Sequence, residues 1–329
     1  MQSVTSARVR SSPINLGTLS TPIVFVATIL IFSIFSPGHR FIDPRNLAAM
    51  AKLTPDIGVV ALGVGLLMIC GEFDLSIASI LPLSSYIFTQ LLMAGVDPFV
   101  AFVLVLPCGA ALGLLNGVLV VRTGLPSFII TLSTMLFWRG VLYVISGMMP
   151  LSILPYVPTG SPLAQMLTGQ IGPVPLQFLW FVGFALVLGV VLHFGKFGNW
   201  VYAIGSNQEA ARAMGISVGT VKVACYMIVG TLCAFAGMMQ AARLGSFAAT
   251  QGIGSELKAI AAVVVGGTSL RGGVGSMLGI ALGVFIIQSL DNGLILLQVP
   301  VFGVNTFIGI AVILFVILNN LTNRQFAGQ

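Results

Sequence analysis

Apolar runs long enough to cross a lipid bilayer follow one another along almost the whole chain. They cover residues 20–36, 55–70, 75–93, 98–121, 125–147, 176–195, 223–242, 257–268, 273–290 and 299–318. A helix needs about 20 apolar residues to span the hydrocarbon layer, and a broken helix manages with fewer. No water reaches the backbone in that layer, so a spanning chain pairs its own N–H and C=O groups, as helices or as a closed barrel. The runs are continuous, whereas barrel strands are short and alternate in hydrophobicity. The expected class is therefore all-α, a polytopic integral membrane protein of about ten transmembrane helices with broken or re-entrant segments. The short, glycine-ended run 257–268 is the candidate for a partial crossing.

Composition closes off the soluble alternatives. Charged residues make up 7 % of the chain and mean hydropathy is +1.08, against about 25 % charged residues in a soluble domain. A soluble enzyme, a nucleic-acid-binding domain and a disordered chain are all excluded. The net charge of +6 comes from basic residues standing singly at the ends of apolar runs. That placement reads as topological anchoring in the bilayer, with no nucleic-acid partner.

Ten crossings from a cytoplasmic N-terminus put Arg8, Arg10, Arg122, Lys196, Arg212, Lys222, Arg271 and Arg324 inside. Arg40, Arg45, Lys52, Arg243 and Lys258 then fall outside, and Arg139 lies within a span. The excess has the sign that membrane topology favours. Residues 1–19 and 319–329 are expected as cytoplasmic tails around a membrane domain over 20–318. No A-x-A site closely follows the first run, so it reads as a retained span and not a removed signal peptide.

Two connections are long. Residues 148–175 are uncharged and rich in proline, and are expected outside. Residues 196–222 are polar and expected inside, with a short amphiphilic stretch from Gln208 to Met214. Asn207 is placed to cap that stretch and Gly215 to end it. So short a helix persists only by packing against something, and a soluble partner is the natural candidate.

Catalysis finds little support. His39 and His193 stand far apart at run ends, and there is neither an H-E-x-x-H helix nor a phosphate-binding G-x-x-x-x-G-K-[ST] loop. Cys70, Cys108, Cys225 and Cys233 lack metal-ligand spacing and read as buried, inert thiols. No cofactor and no metal are expected.

The informative charges are Glu72 and Asp74, which interrupt an apolar stretch from Ile57 to Leu83. Intramembrane carboxylates are costly and mark functional sites by default. The plain alternative is a solvated break at the cytoplasmic interface, or Asp74 capping the next helix beside Ser76. Arg139 is placed to pair with one of these acids or to line a polar path, and Asn116-Gly117 reads as a helix–helix contact. Gly71–Ser79 and Gly266–Ser276 both break apolar runs, which raises a possible inverted repeat; broken helices at matching places tend to lie near a substrate path.

These segments carry a resemblance. Gly71-Glu-Phe-Asp-Leu-Ser-Ile-Ala-Ser79 resembles the G-G-x-D-L-S-x-G-S segment of permease subunits in bacterial ATP-binding-cassette importers for ribose and similar monosaccharides. Gly205-Ser-Asn-Gln-Glu-Ala-Ala-Arg-Ala-Met-Gly-Ile216 resembles that family's G-x-N-x-x-A-A-x-x-x-G-I loop. The run from Ala259 to Ser276 is similar to its A-I-A-A-V-V-x-G-G-T-S-L-x-G-G-x-G stretch, and Asn116-Gly117 and Leu125–Thr134 match in kind. The resemblance extends over about residues 40 to 320, with Glu72 and Ala78 standing where glycines are common.

The resemblance implies a multi-pass permease of the bacterial cytoplasmic (inner) membrane, with no ATPase site of its own. Its implied partners are cytoplasmic ATP-binding-cassette ATPase subunits, a second permease subunit (identical or a paralogue), and a periplasmic or extracellular sugar-binding protein. The loop would act as a coupling helix gripped by the ATPase, through Asn207, Glu209, Ala210, Ala211, Arg212 and Gly215. Glu72, Phe73, Asp74, Asn116 and Arg139 are the candidates for the substrate path. The implied action is alternating access carrying a pentose or hexose. A furanosyl signalling molecule or a nucleoside remains open as cargo, as does an ion-coupled secondary transporter.

Overall fold

A computed structural model describes residues 16–300 and 303–314. The tail expected over 319–329 lies outside the described residues, as does 1–15 of the N-terminal tail; residues 16–19 already belong to a helix. In chain order come α1 (Leu16–Phe35), a 3-10 turn (Pro37–Ile42), α2 (Pro44–Ile69), α3 (Ile77–Met93), α4 (Pro98–Thr123) and α5 (Ser127–Ser146). Next are β1 (Leu151–Ser152), α6 (Pro162–Thr168), β2 (Gln170–Ile171), β3 (Val174–Pro175), α7 (Leu176–Phe194), α8 (Lys196–Ser206) and α9 (Gln208–Ala213). The chain continues through α10 (Val218–Leu244), β4 (Ser246–Phe247), α11 (Ser255–Val265), α12 (Met277–Leu296) and α13 (Gly303–Leu314).

The protein is a multi-pass, essentially all-helical membrane protein; its strands are two-residue pairings in the connections. Each apolar run of the sequence holds a helix. Six of the described helices, α2, α4, α5, α7, α10 and α12, are long and apolar enough to cross a bilayer. The apolar described stretches of α1, α3 and α13 are shorter. The 11 residues of α11 reach about 16 Å at 1.5 Å per residue, half a bilayer.

Local signals set several helix starts. Asp97 accepts from the N–H groups of Phe99 (2.9 Å) and Val100 (3.1 Å) ahead of Pro98, and Ser276 Oγ accepts from Gly279 N–H at 3.0 Å. Helix α2 begins eleven residues before its apolar run, because Asp43 accepts from Arg45 N–H at 2.8 Å and Pro44 opens the first turn. Pro55 sits inside this helix without ending it.

The centre of the bundle is α2, buried at every residue from Gly58 to Ile69 and enclosed by α7, α10, α11 and α12. Helix α4 meets α10 along Gly109, Gly113 and Gly117, one turn apart. A Cβ at Gly113 would run into the Tyr226 carbonyl, and one at Gly109 into that of Gly230. This is the small-residue contact by which membrane helices gain close van der Waals packing.

The sense of the helices corrects one expectation. An inverted repeat built on the two breaks would have the preceding runs cross in opposite senses. Gly65 of α2 instead lies beside Val263 of α11, and Gly273 N–H, in the second break, donates to Ile69 O at 2.8 Å. So α2 and α11 run side by side in one sense, and both breaks lie at the same end of the bundle. The Ile69 carbonyl, freed where α2 stops, thus finds its partner in the second break.

Candidate functional site

The break between α2 and α3 is extended chain inside a helical bundle, so its backbone needs partners from side chains. Phe73 N–H donates to Ser127 Oγ at 3.1 Å, and Leu75 N–H to Thr131 Oγ1 at 3.1 Å. From the other side, Tyr226 Oη donates to Phe73 O at 3.0 Å. The hydroxyls spaced four apart in Leu125–Thr134 are thus one turn of α5 facing the break.

The two acids part company here, and both are buried. Asp74 is fully buried; its Oδ1 accepts from Ser76 N–H at 2.8 Å and from Ser76 Oγ at 2.5 Å. Asn116 Nδ2 donates to the same Ser76 hydroxyl at 2.6 Å, tying α4 to the start of α3. Asp74 Oδ2 and Asn116 Oδ1 have no partner among the described residues. Asn116 therefore serves the break, while its neighbour Gly117 makes the contact with α10.

Glu72 lies one layer nearer the end of the bundle and forms an ion pair with Lys222, in the first turns of α10. Lys222 Nζ also donates to Gln208 Oε1 at 2.8 Å. Gln208 is the first residue of α9, so the break, α10 and the short helix are joined through one ammonium group. With Ser127 and Arg212 these residues line a cavity of about 320 Å³.

Helix α9 has the ends read from the sequence. Asn207 Oδ1 accepts from the N–H groups of Glu209 and Ala210, both at 3.0 Å, and Gly215 follows with φ +81°. Ala211 is buried, while Glu209, Ala210 and Arg212 are exposed. Behind it, Gly205 at the end of α8 fits against Ile69 O and Gly273, so the base of the loop rests on both breaks. Residues 215–219 also have G-x-S-x-G spacing. Ser217 meets Thr220 Oγ1 at 2.8 Å at a helix start, not on the strand-to-helix elbow a hydrolase uses.

Of the two readings of Arg139, the pairing with an acid is corrected: Arg139 pairs with neither Glu72 nor Asp74. Its Nη1 donates to the carbonyls of Ala249 (2.9 Å) and Gln251 (3.0 Å), and its Nη2 to that of Ala78. The reason is height along α5. Arg139 stands twelve residues beyond Ser127, about 18 Å at 1.5 Å per residue, and Ser127 marks the level of the acids. The connection from α10 to α11 folds back to meet it; Gly252 packs on Ala78 and Pro82, and β4 pairs with β1 of the 148–175 connection. Cys108 is half-buried, not buried like Cys70, Cys225 and Cys233.

The family model for the permease component of a branched-chain amino acid transport system matches residues 46–318. The chain belongs to this family. Among curated relatives, the ribose import permease protein RbsC of Bacillus subtilis is 38 % identical over 88 % of this chain and 89 % of its own. The D-allose transport system permease protein AlsC of Escherichia coli is 31 % identical over 92 % and 91 %. The xylose/arabinose import permease protein XylH of Sulfolobus acidocaldarius is 29 % identical over 91 % and 84 %. No solved structure matches the chain. The resemblance drawn from the motifs and the family membership agree.

Proposed function

We propose that this protein is the membrane-spanning subunit of an ATP-binding-cassette importer that carries a monosaccharide, a ribose-like pentose or a hexose, across a bacterial cytoplasmic membrane. The observation that carries the reading is α9, a capped helix exposed on its outer side and joined through Gln208 to a polar break inside the bundle. The relatives' names favour a sugar over an amino acid as cargo.

In this reading α9 lies in the cytoplasm and docks a separate ATPase. Ala210 permits close approach, Glu209 and Arg212 meet charges at the rim, and Gly215 turns the chain back toward α10. Two permeases, identical or paralogous, enclose the pathway and rock as the ATPases close on ATP. A binding protein outside delivers the sugar, so the pathway holds it weakly, which suits the few polar groups along the spans. The ten runs act as crossings or partial crossings, with 148–175 outside and both tails inside. Phe73, Asp74 and Asn116 sit beside the pathway, while Glu72 belongs to its cytoplasmic end.

The test is reconstitution with the ATPase and binding protein in vesicles. Uptake of labelled ribose, xylose or allose that requires ATP is the expected result. Uphill uptake by the permease alone without nucleotide, or uptake of leucine in place of sugar, overturns the reading.

A further inference from the structure

Lys222 is the one described side chain that hydrogen-bonds to both the break and α9. Its ammonium group is nearly buried, as is the Glu72 carboxylate. Ammonium and carboxylate groups taken from water are strongly held when paired and strongly destabilising when one is left alone. Gln208 contributes an uncharged acceptor on the side facing α9. A pull on α9 thus reaches Glu72 through two polar contacts, with no intervening loop. Glu72 is joined in sequence to Gly71, whose φ of +89° makes the sharp exit from α2, and to Phe73, whose carbonyl is held by α10.

Resting on the importer reading above, we propose that Lys222 is a positioning residue that transmits movement of α9 to the broken segment 71–76. It does so by keeping Glu72 and Gln208 on one charge. Neither residue touches sugar or nucleotide in this role. Other charges do not substitute: Asp56 pairs with Arg243 at the opposite end of α10, away from the break, and Lys258 with Asp291 joins α11 to α12. Arg212 lines the same cavity without an ion pair among the described residues.

The experiment uses the whole importer in vesicles, with labelled ribose, xylose and allose each offered as probe, and reads sugar imported per ATP hydrolysed. K222M and E72Q are expected to lower that ratio about tenfold, within the usual range of coupling between sites, while the ATPase still binds and hydrolyses ATP. The exchanged pair E72K/K222E is expected to recover the ratio to within about twofold, because the Gln208 amide can turn to donate where it now accepts. A wild-type ratio in both single variants overturns the proposal. So does an assembled E72K/K222E importer that hydrolyses ATP without recovering the ratio. Should the single variants fail to fold, Q208L decides, since it leaves the buried pair intact; a wild-type ratio in Q208L removes the link to α9. If the wild-type complex imports none of these sugars with ATP, the importer reading itself has failed, and this inference with it.

Discussion

Replacing Asn207 with alanine isolates what holds α9 in shape. The side chain accepts from two N–H groups of the first turn, Glu209 and Ala210. Alanine leaves both without a protein acceptor, and loss of such a cap costs about 1 kcal/mol. A six-residue helix lies far below the length at which helices hold themselves, about 12–15 residues. Packing of α9 is slight, with Ala211 its one buried residue, so a loss of this size moves its equilibrium. One kilocalorie is a factor of about five in a two-state ratio. If only the helical form docks, the apparent Kd for the ATPase rises as the helical fraction falls, by between about two- and fivefold. Titration of the solubilised permease with labelled ATPase measures this, and hydrogen exchange at the Glu209 and Ala210 amides reports the cap directly. N207D keeps the acceptor and should bind like wild type. Equal losses in N207A and N207D, or faster amide exchange in N207A without weaker binding, would refute the reasoning.

Two further substitutions test the architecture around the break. Y226F removes the donor to the part-buried Phe73 carbonyl and should lower stability by about 1 kcal/mol, the usual net worth of one hydrogen bond, read as a lower midpoint in thermal unfolding in detergent. G205A places a methyl group against Ile69 O and the Gly273 backbone. Neither neighbour is a side chain that can turn away, so overpacking of about 1–3 kcal/mol is expected, and faster exchange should appear at Gly273 N–H. An unshifted midpoint for either variant contradicts the contact it was built on.

Much of the fold was legible in the chain because membrane spans are written locally. The continuous runs place α3, α4, α5 and α7 within about two residues of their observed ends, while α12 starts and ends several residues later than its run. Asn207 and Gly215 were legible for the same reason: a cap acts on N–H groups two and three residues on. The early start of α2 does not show in hydropathy, because its first turns are largely exposed or half-buried and are set by the Asp43 cap and Pro44. The pairing of Glu72 with a residue 150 positions away was out of reach of any local rule, as was the choice of backbone carbonyls by Arg139.

By itself, the sequence determined that this is a helical membrane protein, where its helices run, and that a short capped helix projects from one connection. Those follow from the bilayer, which admits no unpaired backbone, and from side chains bonding to their own neighbourhood. Only the tertiary structure decided that both breaks meet at the foot of α8, that Ser127, Thr131 and Tyr226 hold the first of them, and that Lys222 ties it to α9. An interrupted helix in a bundle needs partners from other helices, and which helices stand close enough to supply them is settled by packing across the whole molecule.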